Sequence, residues 1–170
     1  MSSTREAILD VVGKAYQIET DGYTFYSMTA ERATKPAVQE LFSKLASDEV
    51  QHQAFLRTVA SHFDEQGAGA FRLNTRIPDA AGVTSRVFTG KFREQAAGAK
   101  FELAVLSIGM TLESNAINYF STSASQATDT EVREFYQFLA NWEKQHYDSL
   151  QNLFTMVRED QMGESGFSPF

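Results

Sequence analysis

Two short segments, "DEVQHQ" (residues 48–53) and "EKQHYD" (residues 143–148), each hold a Glu and a His three residues apart: Glu49 with His52, and Glu143 with His146. On a helix that spacing puts both side chains on one face, with Cβ atoms about 5–6 Å apart, so that one ion or a close pair of ions can be held by both. A further glutamate stands 30 residues upstream of each pair, Glu19 before Glu49 and Glu113 before Glu143. Carboxylates and imidazoles suit divalent iron and manganese, while softer metals prefer sulfur. The chain has no cysteine, which also removes disulfides, thiolate zinc sites, iron–sulfur clusters and a cysteine nucleophile.

The six residues fall into three equivalent pairs because the chain repeats itself. Residues 19–56 laid over 113–150, without a gap, give 13 identities in 38 positions, where roughly two or three are expected from average composition. Glu19 aligns with Glu113, Glu49 with Glu143 and His52 with His146; Ala30/Ala124, Thr34/Thr128, Val38/Val132, Leu45/Leu139 and Leu56/Leu150 match as well. A duplicated unit explains why the Glu-x-x-His pattern occurs twice.

The elements that carry these residues read as four helices. Residues 2–33 form the first, opened by a capping box at Ser3-x-x-Glu6 and striped by Ile8, Val11, Ala15, Ile18, Gly22, Phe25 and Thr29. The second starts near Pro36, a favourable first-turn residue, with Val38, Leu41, Phe42, Leu45, Phe55, Leu56 and Val59 as its apolar stripe. The third runs from about Gln95 to Gln126. The fourth spans about Thr130 to Glu159, opened by a box at Thr128-x-x-Glu131 and striped by Val132, Phe135, Tyr136, Leu139, Leu150, Leu153 and Val157. Residues 64–94 lack a sustained period and read as a long crossover, and 161–170 as a flexible tail. The expectation is all-α: an up-down four-helix bundle of two duplicated hairpins in one domain, residues 1–160.

Phase then decides the chemistry. Leu45, Glu49, His52 and Leu56 step by four, three and four, as do Leu139, Glu143, His146 and Leu150, so the polar residues fall inside the apolar stripes. Glu19 and Glu113 lie beside Ile18 and Leu112 on the core side of their helices. Each unpaired buried charge costs several kcal/mol. Two divalent cations balance four carboxylates and leave two imidazoles neutral, so the sequence predicts a dinuclear metal site. Carboxylate-bridged helical bundles use this ligand set, with one Glu from each of two helices and Glu-x-x-His from the other two.

The net charge of −7 opposes binding to nucleic acid or to anionic membrane. No apolar run reaches a membrane-spanning length and the N-terminus lacks a signal-peptide core, so a cytoplasmic protein is expected.

The hairpins "IETDGYTFYSMTAERATKPAVQELFSKLASDEVQHQAF" and "LESNAINYFSTSASQATDTEVREFYQFLANWEKQHYDSL" resemble those of rubrerythrin-type ferritin-like proteins. The resemblance implies a di-iron carboxylate site, with manganese or zinc as alternative occupants. Glu49 and Glu143 would bridge the irons, Glu19 and Glu113 bind as terminal carboxylates, and His52 and His146 each cap one iron. It further implies reduction of hydrogen peroxide, or oxidation of ferrous iron with dioxygen, and a homodimer. Storage or delivery of iron, and a metal-stabilised bundle without turnover, are the competing expectations. Three departures matter. The absence of cysteine removes the rubredoxin-like centre, so electrons would come from an external, rubredoxin-like donor. The family's additional Glu beside the third-helix ligand is missing, the neighbouring turns holding Met110, Ala116 and Ile117. Val50 and Lys144 stand where a haem-binding Met would be needed.

Other residues draw structural expectations. Tyr23, Tyr26, Tyr119 and Tyr147 read as bundle aromatics with a polar tip; Tyr23 or Tyr26 is within reach of a ligand carboxylate. Trp142 reads as packing, Gln51 and Gln145 as sideways-pointing, and His62 and Glu102 as solvated surface.

Overall fold

The computed structural model describes residues 4–66 and 100–164. Among them it forms four α-helices and no strand: α1 Thr4–Arg32, α2 Pro36–Gln66, α3 Lys100–Gln126 and α4 Thr130–Glu164. Helices α1 and α2 pack as one hairpin and α3 and α4 as the other, with α1 also touching α3 and α4. This is the expected four-helix bundle. The crossover beyond Gln66, the Ser3 cap, residues 95–99 and the tail beyond Glu164 lie outside the described residues, as does the side chain of His62. Helix α4 continues past Glu159, so its last turn occupies part of the expected tail.

The duplication is visible in the backbone. At the end of α1 the Ala33 N–H is shared between the carbonyls of Thr29 and Ala30, at 3.0 and 3.3 Å; at the end of α3 the Ala127 N–H is shared between Ser123 and Ala124 at the same two distances. Both hairpins then start their next helix after three residues. Pro36 takes the first position of α2, where its missing N–H costs nothing. Helix α4 is capped by Asp129 rather than by the expected Thr128. The Asp129 carboxylate accepts the N–H groups of Glu131 (2.9 Å) and Val132 (3.3 Å), a better acceptor at a helix N-terminus than a hydroxyl one residue too early.

Two apolar clusters fill the bundle, and the duplication sets both. One joins Ile8, Val11, Ala15, Leu56 and Val59 to Phe120, Val132, Phe135 and Leu139. The other joins Tyr26, Val38, Leu41, Phe42 and Leu45 to Val105, Leu106, Leu150 and Leu153. The polar layer of Glu49, His52, Glu143 and His146 lies between them in sequence on α2 and α4, so the site is closed by apolar packing at either end. The stripe of α1 differs at one place: Tyr26, fully buried, takes the innermost position, and Phe25 is only half-buried. Steps of four, three and four from Ala15 through Glu19 and Gly22 arrive at Tyr26, not at Phe25.

Glu102 corrects the sequence reading. It is buried at 4% exposure and ion-paired with Lys35 at 3.2 Å, tying the first turn of α3 to the α1–α2 connection. Lys35→Ala should lower stability by about 1–2 kcal/mol, because it strands the carboxylate in the interior. Glu102→Gln should cost less, since the Lys35 side chain is 33% exposed and can turn to water. Urea melts of the two variants check that order; equal losses would mean the carboxylate is not held by its partner.

Candidate metal centre

All six sequence-predicted residues come together inside the bundle: Glu19 from α1, Glu49 and His52 from α2, Glu113 from α3, Glu143 and His146 from α4, each no more than 4% exposed. The His52 Nδ1 lies 2.9 Å from Glu19 Oε2 and 3.4 Å from Glu49 Oε2. The His146 Nδ1 lies 3.4 Å from Glu49 Oε1 and 3.6 Å from Glu113 Oε1. Glu49 therefore turns one oxygen to each imidazole. The two rings are nearly parallel, with centroids 5.0 Å apart. Ligand atoms of Glu49, His52 and His146 lie within 4.8 Å of one another, and so do those of Glu113, Glu143 and His146. Glu19 joins the first group through His52.

The electrostatics are those of a set of anions without countercharge. Burial, aided by Glu49, pushes the Glu19 carboxyl up to about 8. Burial and then the charges of Glu19, Glu113 and Glu49 push the Glu143 carboxyl well above the usual range. Burial pushes Glu113 upward too, but its close interaction with His146 outweighs this and holds it below the ordinary carboxylate range. Burial pulls His146 down, yet the close carboxylates of Glu113 and Glu49 hold it well above an ordinary imidazole. Protons are thus retained where cations would otherwise sit.

The donor set fits a metal pair on a further observation. Glu19 Oε1, Glu143 Oε1 and both ring nitrogens of His146 are buried with no hydrogen-bond partner. Each such group costs about 1–3 kcal/mol when left unsatisfied. Cations bound among these carboxylates would satisfy the oxygens and the inward nitrogen together.

The rubrerythrin family model matches residues 10–154, a span that takes in all six residues. The chain belongs to the rubrerythrin family. No curated protein and no solved structure gives a significant match.

A cavity of about 210 Å³ leads to the centre of this rubrerythrin-family bundle. Its lining includes buried Glu49, Glu113 and Glu143 and, at its mouth, the exposed Asp21 and Asn115. The route passes Gly22 and Ala116, which occupy equivalent positions in the two halves. A Cβ on Gly22 would stand 3.0 Å from Glu49 Oε1, so the glycine leaves that carboxylate its place.

Of the tyrosines, Tyr26 reaches a ligand. Its hydroxyl donates to Glu113 Oε1, and burial, then the charges of Glu113 and Glu49, push its phenol well above the usual range, so it remains a donor. Gly109 makes the room: a Cβ there would lie 3.5 Å from Tyr26 Cε1 and 3.1 Å from Leu150. Tyr23 is 41% exposed. Tyr119 and Tyr147 are half-buried, Tyr119 packing on Phe120 and Tyr136. Gln51 and Gln145 are exposed, as expected. Tyr26→Phe should fold, because Phe120 fills the matching position of the other half. It should lower stability by about 1.5–3 kcal/mol, the worth of a hydrogen bond to a charged group; urea unfolding measures it, and no loss would deny the Glu113 contact.

Two residues at the centre escaped sequence reading. Asp48 is buried at 5% exposure, its Oδ1 bound by Lys44 and its Oδ2 without a partner. Its phase, three residues after Leu45 and four before His52, was the available signal. Trp142 packs in the core as expected; what the sequence did not show is that it lies against one of the six residues, the indole and His52 having centroids 3.7 Å apart.

Proposed function

We propose that this protein is a di-iron oxidoreductase that reduces hydrogen peroxide with electrons from an external donor protein. The observation that carries the reading is Glu49 turned to two imidazoles at the centre of six buried carboxylate and imidazole side chains contributed by four helices. Glu19, Glu49, Glu113 and Glu143, with His52 and His146 through the Nδ1 atoms that face these carboxylates, would hold the metals. A ferrous pair bound there would supply the two electrons that, with two protons, reduction of hydrogen peroxide to two molecules of water requires. The chain's own residues confine and prepare that reaction. The apolar clusters exclude bulk water from the two ends, and the cavity past Gly22 and Ala116 admits a molecule as small as peroxide. Tyr26 keeps its proton and donates a hydrogen bond to Glu113, fixing that carboxylate.

Without cysteine these residues offer no cysteine-ligated iron centre, so a rubredoxin-like protein is the donor this reading calls for, and a homodimer in the cytoplasm the setting. Iron-loaded protein with a reduced rubredoxin as donor should consume peroxide over many turnovers. A rate equal to that of Glu49→Ala protein would refute the assignment.

A second reading, ferrous-iron oxidation for storage or delivery, draws on Asp21, whose carboxylate at the cavity mouth suits an entering cation. A 24-subunit particle in light scattering would favour it, and a stable dimer would count against it.

A further inference from the structure

The cavity that opens onto the six residues is larger than hydrogen peroxide requires. It holds about 210 Å³, whereas a molecule as small as peroxide needs little more than one water's share of roughly 30 Å³. An apolar protein cavity of roughly 150 Å³ already takes a benzene ring. The walls here are apolar: Ile18 and Gly22 on α1 and Leu112 and Ala116 on α3, with the buried carboxylates of Glu49, Glu113 and Glu143 at the inner end. The lining is also duplicated. The 94-residue offset of the repeat carries Ile18 onto Leu112, Asp21 onto Asn115, Gly22 onto Ala116 and Glu49 onto Glu143, so the cavity stands between the two halves of the centre and faces both. Apolar walls with a few polar groups gathered at one end suit a ligand with an apolar body and a polar head.

We propose that the site also takes organic hydroperoxides, ROOH, in which R is an apolar group up to the size of cumyl. The peroxide end enters among the glutamates, and R rests on Ile18, Leu112 and Ala116. Two electrons and two protons break the O–O bond and leave ROH and one water, the electrons coming from the same external donor protein. This rests on the peroxide-reducing reading and widens the substrate class of that site. Ala116 sets the width. Its counterpart Gly22 is held to glycine by Glu49, because a Cβ there would stand 3.0 Å from Glu49 Oε1. Ala116, at 5% exposure, lines the cavity with no more than a methyl group, and a longer side chain at this position would occupy the space that R needs.

The test has a binding arm and a reaction arm, each on the full chain as wild type and Ala116→Leu, which adds an isopropyl group to the wall. In the first, 2-phenyl-2-propanol, the alcohol product of cumene hydroperoxide, is titrated into metal-free protein and followed by ligand-observed NMR. Wild type should bind it with a Kd on the order of 1 mM, the affinity open to a ligand of about ten heavy atoms, and Ala116→Leu should weaken binding at least fivefold. No saturable binding by wild type, or a smaller effect of the substitution, would overturn the proposal. In the second, anaerobically iron-loaded protein is mixed with cumene hydroperoxide and, separately, with hydrogen peroxide. Wild type should be oxidised by the two at rates within tenfold of each other, and Ala116→Leu should slow the cumene hydroperoxide reaction at least fivefold more than the hydrogen peroxide one. Fast oxidation by hydrogen peroxide with cumene hydroperoxide more than tenfold slower would overturn the proposal and leave the peroxide reading standing. Slow reaction with both would bring down that reading, and the proposal with it. The wild-type measurements decide the matter even where Ala116→Leu fails to fold.

Discussion

Metal-free protein should lose stability as pH rises from about 5 to about 8, and metal-loaded protein should not. The Glu19 carboxyl titrates near 4.5 when unfolded and at about 8 in the fold, so between those values the native state binds a proton that the unfolded state has lost. Stability then falls with rising pH, because its slope follows the difference in bound protons, unfolded minus native. The raised His146 and Glu143 act in the same sense: their contributions are full at low pH and are lost as pH rises through their folded values. Glu113, held below the ordinary range, acts oppositely and loses its contribution only under more acid conditions. A carboxyl shifted this far contributes on the order of several kcal/mol, equivalent to a fall in Tm of about 10 °C or more for a chain of this size. Bound divalent cations replace the retained protons, so metal affinity rises over the same pH window. Thermal melts of apo and loaded protein at pH 5, 6, 7 and 8 measure both effects. An apo Tm that is flat or rising through this window would contradict the picture of uncompensated buried anions.

Glu143→Gln should separate the cost of the ligands from their purpose. In the apoprotein burial, and then the charges of Glu19, Glu113 and Glu49, push the Glu143 carboxyl well above its usual range and favour its protonated form. A neutral glutamine of the same shape therefore costs little, and as pH rises and wild-type Glu143 is driven to ionise, the variant should melt higher than wild type. With metal the ranking reverses. Ligand present at a thousand times its Kd stabilises the native state by about 4 kcal/mol, worth roughly 10 °C in Tm. Glutamine cannot supply the second anionic oxygen of a bridge, so Glu143→Gln should forfeit most of that gain and bind one metal per chain. Metal analysis after gel filtration, alongside melts with and without Fe²⁺ or Co²⁺, tests the pair of outcomes. Two metals retained at full affinity would remove Glu143 from the centre.

The fold and the six central residues were legible because periodicity and duplication pointed the same way. Glu49 and His52 sit between Leu45 and Leu56 at helical steps, and the second copy repeats this, so burial of polar side chains could be read without any knowledge of helix packing. What stayed hidden depended on relations between helices. Helical phase from Glu19 and Gly22 favours Tyr26 over its neighbour Phe25, but the room left by Gly109 and the reach to Glu113 could not be read from one helix. Glu102 looked solvated because its countercharge, Lys35, comes from the other hairpin. The Asp129 cap was displaced by one residue from the Thr128 reading because a carboxylate outcompetes a hydroxyl for the free N–H groups of the first turn. Trp142 and Asp48 carried a sequence signal only as a mismatch within the repeat, and a mismatch does not tell what each side chain touches.

The most direct test mixes anaerobically iron-loaded protein, in parallel, with hydrogen peroxide and with air-saturated buffer, and follows iron oxidation by stopped-flow absorbance. A peroxide-reducing centre predicts fast oxidation of two irons by one peroxide and a much slower reaction in air. Oxidation by dioxygen as fast as by peroxide, or faster, would contradict that function and assign the same ligands to iron handling.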